Sequence, residues 1–140
     1  MSITIEQAIT TFGVDIDEHL DRQAVIPVLD GLQLQGDVAV IPASMTRALR
    51  AATTPVPTAG YPVVRGEVGA NTHLLIGSGP VFFDAAEPSR TELRLGTLTV
   101  PAGSTGYLAH PEHSYAGIAP GTYELRRQRE QADEIRLVQD

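Results

Sequence analysis

The residues of this 140-residue chain whose types and spacing could bind a metal ion are histidines and glutamates. His110 and His113 lie three positions apart in the segment LAHPEH, with Glu112 between them. Imidazole nitrogens and carboxylate oxygens are common ligands of zinc, iron, manganese and nickel. Side chains three apart on a strand point to opposite faces, so the two imidazoles converge only if the chain turns at Pro111. The segment therefore predicts either half of a metal site or a solvated turn.

Further ligands for such a site must come from another segment of the chain. The obvious donors are Glu67 in RGEVG and His73 in NTHLLI. If the strand from 67 to 73 lies beside the 108–113 turn, three histidines and one glutamate, either Glu67 or Glu112, can surround a divalent transition metal. Such a site keeps open positions for a substrate. An HxxH spacing in a proline-containing loop is more often a solvated turn, and both interpretations stay open.

A second candidate surface lies in the segment PGTYELRRQRE. On a strand, Tyr123, Arg127 and Arg129 share one face. One aromatic ring and two guanidinium groups could bind an anion or the carboxylates of a partner. The alternative is cross-strand ion pairing of the arginines with acids such as Glu92 or Glu67.

Composition excludes several classes of chemistry. The chain has no cysteine, which rules out thiol nucleophiles, cysteine-ligated zinc and iron–sulfur clusters. All ten basic residues are arginine, so there is no lysine for Schiff-base chemistry. The serines that lie near glycines lack the GxSxG nucleophile pattern, and GSGP has too few glycines for a phosphate loop. These absences favour a protein that is not an enzyme.

The charge and hydropathy patterns bear on partners and location. The net charge is −7 and no basic face is apparent, so nucleic acid is not an expected partner. No apolar run approaches the length of a membrane-spanning helix. The N-terminus lacks the pattern of a secretory signal. We therefore expect no membrane insertion and a cytoplasmic location, either as a free protein or in a particle assembled there.

An acidic helical arm is predicted over residues 1–30, and a β domain is predicted over residues 31–140. Thr4 and Gln7 have capping-box spacing, and Gly13 is a suitable helix end. A further helical turn is predicted over residues 15–22. A short helix is predicted from Ser44 to residue 50, with Met45 among its inward-facing residues.

The β domain is predicted to be a small sandwich or a jelly-roll-like barrel. Strand candidates recur along the chain at short intervals and are separated by glycine- and proline-rich turns. The stretch from Leu32 to Ile41 alternates apolar and polar residues around Gly36, which indicates a strand with a bulge. The other strand candidates are YPVVRGEV, THLLI, PVFF, ELRLGTLTV, TGYLA and TYELRRQRE.

Two resemblances bear on the last half of the chain. The motifs GEVGANTH, HPEH and PGTYELRRQRE resemble an uncharacterised family of small bacterial β-rich proteins with the patterns GExxGHxH, HxEH and PGTYxxRRQRE. Asn71 stands where that family has a histidine. More weakly, GTLTVPAGSTGYLAH is similar to the second cupin motif, which implies a β-barrel with a metal held by histidines.

Two functional hypotheses follow. The first is a non-enzymatic binding or assembly module, a subunit of a homo-oligomer or of a larger particle such as a phage virion. The second is a metal-binding, cupin-like β-barrel that uses His73, His110 and His113 for small-molecule chemistry or sensing. The sequence favours the first, because the second needs three separated segments to converge.

Overall fold

The computed structural model describes residues 2–47, 49–64, 72–87 and 93–128. This part of the chain is mainly β-structure. The strands are β1 (Val28–Leu29), β2 (Gln33–Gln35), β3 (Val38–Pro42), β4 (Tyr61–Val64), β5 (His73–Ser78), β6 (Phe82–Ala85), β7 (Arg94–Val100), β8 (Thr105–His110), β9 (Ser114–Ile118) and β10 (Gly121–Arg127). They are preceded by the helix α1 (Ile5–Phe12).

The strands of the described ranges form two five-stranded sheets rather than a closed barrel. The first sheet has the order β1–β9–β8–β5–β4 and the second has the order β2–β3–β10–β7–β6. Neighbouring strands are antiparallel except for β1 and β9, which are parallel. The prediction of a mainly β fold with a short N-terminal helix is confirmed, and its sandwich alternative describes the arrangement.

The core lies between the two sheets because strand residues alternate between faces. Inward-facing side chains of both sheets form one apolar cluster. Its fully buried members include Val38, Val40, Leu75, Leu98, Leu108, Ile118, Tyr123 and Leu125.

The N-terminal arm packs on the outer face of the first sheet. The predicted capping box is present, since the Thr4 hydroxyl accepts from the Gln7 amide and the Gln7 side chain accepts from the Thr4 amide. Apolar residues of the arm and of the sheet form a second cluster, which includes Ile5, Ala8, Ile16, Ile26, Ile76, Tyr107, Ala109 and Tyr115. The Asp17 amide also donates to the Pro111 carbonyl, which ties the arm to the turn between β8 and β9.

Several local predictions were wrong. Residues 15–22 form no helix, and a short 3-10 helix at Ala43–Met45 replaces the longer one predicted from Ser44. Met45 is exposed instead of facing inward. Residues 36 and 37 form a tight turn between β2 and β3, not a bulge. The strand β9 was not predicted, because its polar start and internal glycine resemble the surrounding turns.

No helix in the described ranges has the length and apolar character needed to cross a membrane.

Candidate metal site

The three predicted histidines meet at one end of the sandwich. His73 is the first residue of β5, His110 is the last residue of β8, and His113 ends the turn that leads into β9. The ring centroids of His73 and His110 are 4.4 Å apart, and those of His110 and His113 are 4.6 Å apart. The rings of His73 and His113 are nearly parallel at 9°, with 6.3 Å between centroids.

Strand pairing explains this convergence. Strands β5 and β8 are antiparallel neighbours with Leu74 opposite Ala109, so the start of one lies beside the end of the other. The chain then reverses over residues 111–113, and Ser114 pairs with His110. The turn at Pro111 that the sequence required is therefore present, and it returns His113 to the other two rings.

The second sheet contributes two further polar side chains. Gln35 ends β2, and Asp37 lies in the turn that follows it. The Gln35 amide nitrogen donates to the carbonyl oxygens of Leu108 at 2.7 Å and Ser114 at 2.9 Å. Its oxygen lies 3.0 Å from Nδ1 of His73. The Gln35 side chain therefore connects the two sheets beside the histidine cluster.

Asp37 faces the other ring nitrogen of His73. Its Oδ1 lies 3.2 Å from Nε2 of the imidazole, which is almost fully buried, whereas the carboxylate is partly exposed. Burial, followed by the nearby His110, lowers the pKa of His73 to about 4, although Asp37 opposes this shift. His73 is therefore neutral near pH 7, and neutral imidazole is the form that binds metal ions.

His110 organises the turn that carries His113. Its Nδ1 accepts the backbone amides of Glu112 at 3.0 Å and His113 at 3.3 Å. The next residue, Ser114, has a left-handed φ of 67°, and its buried hydroxyl has no hydrogen-bond partner among the described residues. A non-glycine residue in this conformation stores strain, and such strain concentrates at functional sites.

Gly36 allows the turn between β2 and β3 to approach the rings. Its φ is +59°, and a methyl group in place of its hydrogen would lie 2.8 Å from two ring atoms of His113. The same methyl group would lie 3.4 Å from Cε1 of His73. Glycine is therefore required here both for backbone conformation and for space.

Comparison with models of protein families identifies the family of this chain. The model of the domain of unknown function DUF8820 matches residues 34–128, which is more than half of the sequence. The chain belongs to the DUF8820 family. Comparison with curated proteins and with solved structures gives no significant match.

Membership of DUF8820 agrees with the predicted resemblance to an uncharacterised family but brings no activity with it. The matched region contains the three histidines together with Gln35 and Asp37. The likeness to the second cupin motif stays a prediction.

The other predicted site residues within the described ranges are Glu112, Tyr123 and Arg127. Glu112 is exposed in the turn. Tyr123 is only 1% exposed, because its ring is part of the core and its hydroxyl donates to Ala119. Arg127, at the end of β10, is half-buried. The residues that lie outside the described ranges are Glu67, Glu92 and Arg129.

A different set of arginines gathers on the outer face of the second sheet. Glu124 is buried there, and its carboxylate lies 3.1 Å from Arg126, 3.3 Å from Arg94 and 3.5 Å from Arg47. Tyr123 and Glu124 are consecutive residues of β10, so Tyr123 faces the core and Glu124 faces outward into the ion-pair network. These ion pairs do not involve Arg127, so the predicted pairing of Arg127 and Arg129 with Glu92 or Glu67 stays a prediction.

Sequence reasoning missed Gln35 and Asp37, because both fit the polar side of an alternating strand. The signal that could have located them is the Gly–Asp pair between two alternating segments, which is typical of a two-residue hairpin turn.

Proposed function

We propose that this chain is a metal-binding β-sandwich module whose site takes a divalent transition-metal ion at the histidine cluster. The observation that carries the proposal is the 3.2 Å separation of His73 Nε2 and Asp37 Oδ1 beside two further imidazoles. A neutral imidazole and a carboxylate are ligands that transition metals accept together.

The separation of these two atoms fits coordination to one ion. Zinc bonds to imidazole nitrogen and carboxylate oxygen measure roughly 2.0–2.2 Å. Two ligands of one ion can therefore be no more than about 4 Å apart. The observed distance is shorter. His73 and Asp37 thus form a preorganised pair of ligands.

We infer that the third ligand is His113. Its ring is exposed, lies on a turn and contacts Gly36 of the same hairpin that carries Asp37. Across residues 2–47, 49–64, 72–87 and 93–128, no three histidine, aspartate or glutamate side chains are already arranged around one point. Binding therefore requires His113 to rotate towards the preorganised pair.

His110 has a supporting role in this proposal. Its Nδ1 already accepts two backbone amides, and ligation through that atom would break both hydrogen bonds. Ligands held by neighbouring groups bind metal more tightly, because their orientation is fixed before the ion arrives.

Titration of the metal-free full chain with zinc by isothermal calorimetry tests the proposal. We expect one ion per chain, and we expect His73→Gln, Asp37→Asn and His113→Gln each to weaken binding by more than about tenfold, or about 1.4 kcal/mol. His19→Gln is the matched control, because His19 is exposed on the N-terminal arm. Unchanged affinity in the three cluster variants would refute the site.

A second candidate function, self-association, is favoured by a separate observation. Among the described strands, β1 and β2 each lie at one edge of their sheet and follow each other in the chain. Three exposed leucines lie on these strands and in the connection between them: Leu29 at 44%, Leu32 at 50% and Leu34 at 64% exposure. An open strand edge beside apolar side chains is a typical surface for pairing with a second copy.

Light scattering coupled to size-exclusion chromatography tests self-association. We expect an oligomer at micromolar concentration that dissociates in Leu34→Lys, because a lysine on an edge strand opposes edge-to-edge pairing. A wild-type chain that is monomeric at every concentration tested would contradict this second function and leave the metal site unaffected.

A further inference from the structure

Gln35 has a fixed amide orientation. The side chain is 4% exposed, and its nitrogen donates to two carbonyl oxygens, those of Leu108 and Ser114. A carboxamide nitrogen has two hydrogens, so both are used. In the flipped orientation the amide oxygen would face two other oxygens that can only accept, which excludes that orientation.

This orientation decides which nitrogen of His73 carries the proton. The Gln35 oxygen lies 3.0 Å from Nδ1 of His73. Because an amide oxygen can only accept a hydrogen bond, Nδ1 must be the donor. A neutral imidazole has one N–H group, so Nε2 carries the lone pair. Nε2 is the atom that faces Asp37.

We propose that Gln35 is a positioning residue that holds the His73 proton on Nδ1 and so presents the Nε2 lone pair to the cation site at Asp37. The metal part of this inference rests on the proposed function, whereas the proton on Nδ1 is assigned from the hydrogen bonds and the lone pair on Nε2 follows for the neutral ring. Nε2 and the carboxylate oxygen are within hydrogen-bonding distance of each other. A lone pair and a carboxylate oxygen that are so close repel each other unless a metal ion or a second ring proton lies between them.

The expected loss of metal affinity can be taken from other metal sites in which a neighbouring group bonds to a ligating histidine. Hydrogen bonds from the second nitrogen of a ligating histidine fix its tautomer and raise its basicity, and their loss typically weakens metal binding roughly 10–100-fold. We expect this loss in Gln35→Met, which keeps the length of the side chain and removes both the acceptor and the donor.

Gln33→Met is a matched control on the same strand. The Gln33 side chain also connects the two sheets, since its nitrogen donates to the Gly117 carbonyl at 2.9 Å. This hydrogen bond does not involve His73. A variant that only loosens the contact between the sheets would therefore behave like Gln33→Met.

Long-range ¹H–¹⁵N NMR of the His73 ring in the metal-free full chain at pH 7 is the decisive measurement. We expect protonated Nδ1 and unprotonated Nε2 in the wild type and in Gln33→Met. In Gln35→Met we expect the proton on Nε2, where Asp37 remains as an acceptor. Zinc affinity should fall roughly 10–100-fold in Gln35→Met and less than about twofold in Gln33→Met.

The possible results separate this inference from the proposed function. A wild-type ring protonated on Nε2, or on both nitrogens, would overturn the role of Gln35 even if zinc binds and even if Gln35→Met does not fold. Equal weakening of zinc binding in both methionine variants would also overturn it. The expected tautomer without any zinc binding would support the positioning role and refute the metal site.

Discussion

The lowered pKa of His73 predicts how the stability of the metal-free protein depends on pH. The perturbation is a decrease in pH from 7 to 4.5, compared between the wild type and His73→Gln. In the folded chain the pKa of this histidine is lowered to about 4, mainly by burial and then by the neighbouring His110. In the unfolded chain it returns to about 6.5.

The direction of the effect follows from proton counts. Between pH 6.5 and pH 4 the unfolded chain binds a proton at His73 that the folded chain does not. Stability increases with pH wherever the unfolded state holds more protons, so acidification through this window favours unfolding. With about 1.36 kcal/mol per pKa unit, the loss between pH 7 and pH 4.5 is about 2–3 kcal/mol. Below pH 4 this contribution is constant.

Urea unfolding in the presence of a chelator, repeated at several pH values, measures the effect. The difference between wild-type and His73→Gln free energies of unfolding isolates residue 73, because carboxylates elsewhere titrate in both proteins. A difference that does not change with pH would refute the reasoning. A wild type that gains stability on acidification would show that the ion pair with Asp37 outweighs the cost of burial.

Substitutions at two positions, His110 and Gly36, test the parts of the cluster that position its ligands. His110→Asn should keep zinc affinity within about threefold by calorimetry, because the asparagine oxygen can accept the amide two residues ahead as Nδ1 does. His110→Ala removes this acceptor, so the turn should be disrupted and zinc binding lost. Strong loss in His110→Asn would make His110 a ligand. Gly36→Ala should lower the free energy of unfolding in urea by about 1 kcal/mol or more, because alanine is strained in the left-handed region. It should also weaken zinc binding by displacing His113. The control Gly13→Ala has the same left-handed strain with no neighbour within 4 Å, so equal zinc affinity in both variants would contradict this role.

Local patterns predict the elements of this fold well where a single segment contains the signal. The capping box at Thr4 and the alternating strands required no knowledge of distant contacts. The meeting of His73 with His110 was predicted on one condition, that their strands are neighbours, and β5 and β8 fulfil it.

The remainder of the site depends on packing between the sheets. Gln35 is 38 residues from His73 and 73 from Leu108 along the chain, yet it binds both. On a single strand it looks like any solvent-facing polar residue. Only the stacking of one sheet on the other buries it, and no periodicity within β2 contains that information.

Gln33 and Gln35 make different connections between the two sheets. The Gln33 side chain connects the sheets with a single hydrogen bond to the Gly117 carbonyl. The histidine cluster adds a buried imidazole and a carboxylate, and burying polar groups costs free energy unless each finds a partner. Gln35 satisfies Nδ1 of His73, and Nε2 lies 3.2 Å from the Asp37 carboxylate, where it carries a lone pair while the ring is neutral. In the proposed function a metal ion between these two atoms is the partner of both, whereas a proton on Nε2 would be their partner in a purely structural cluster.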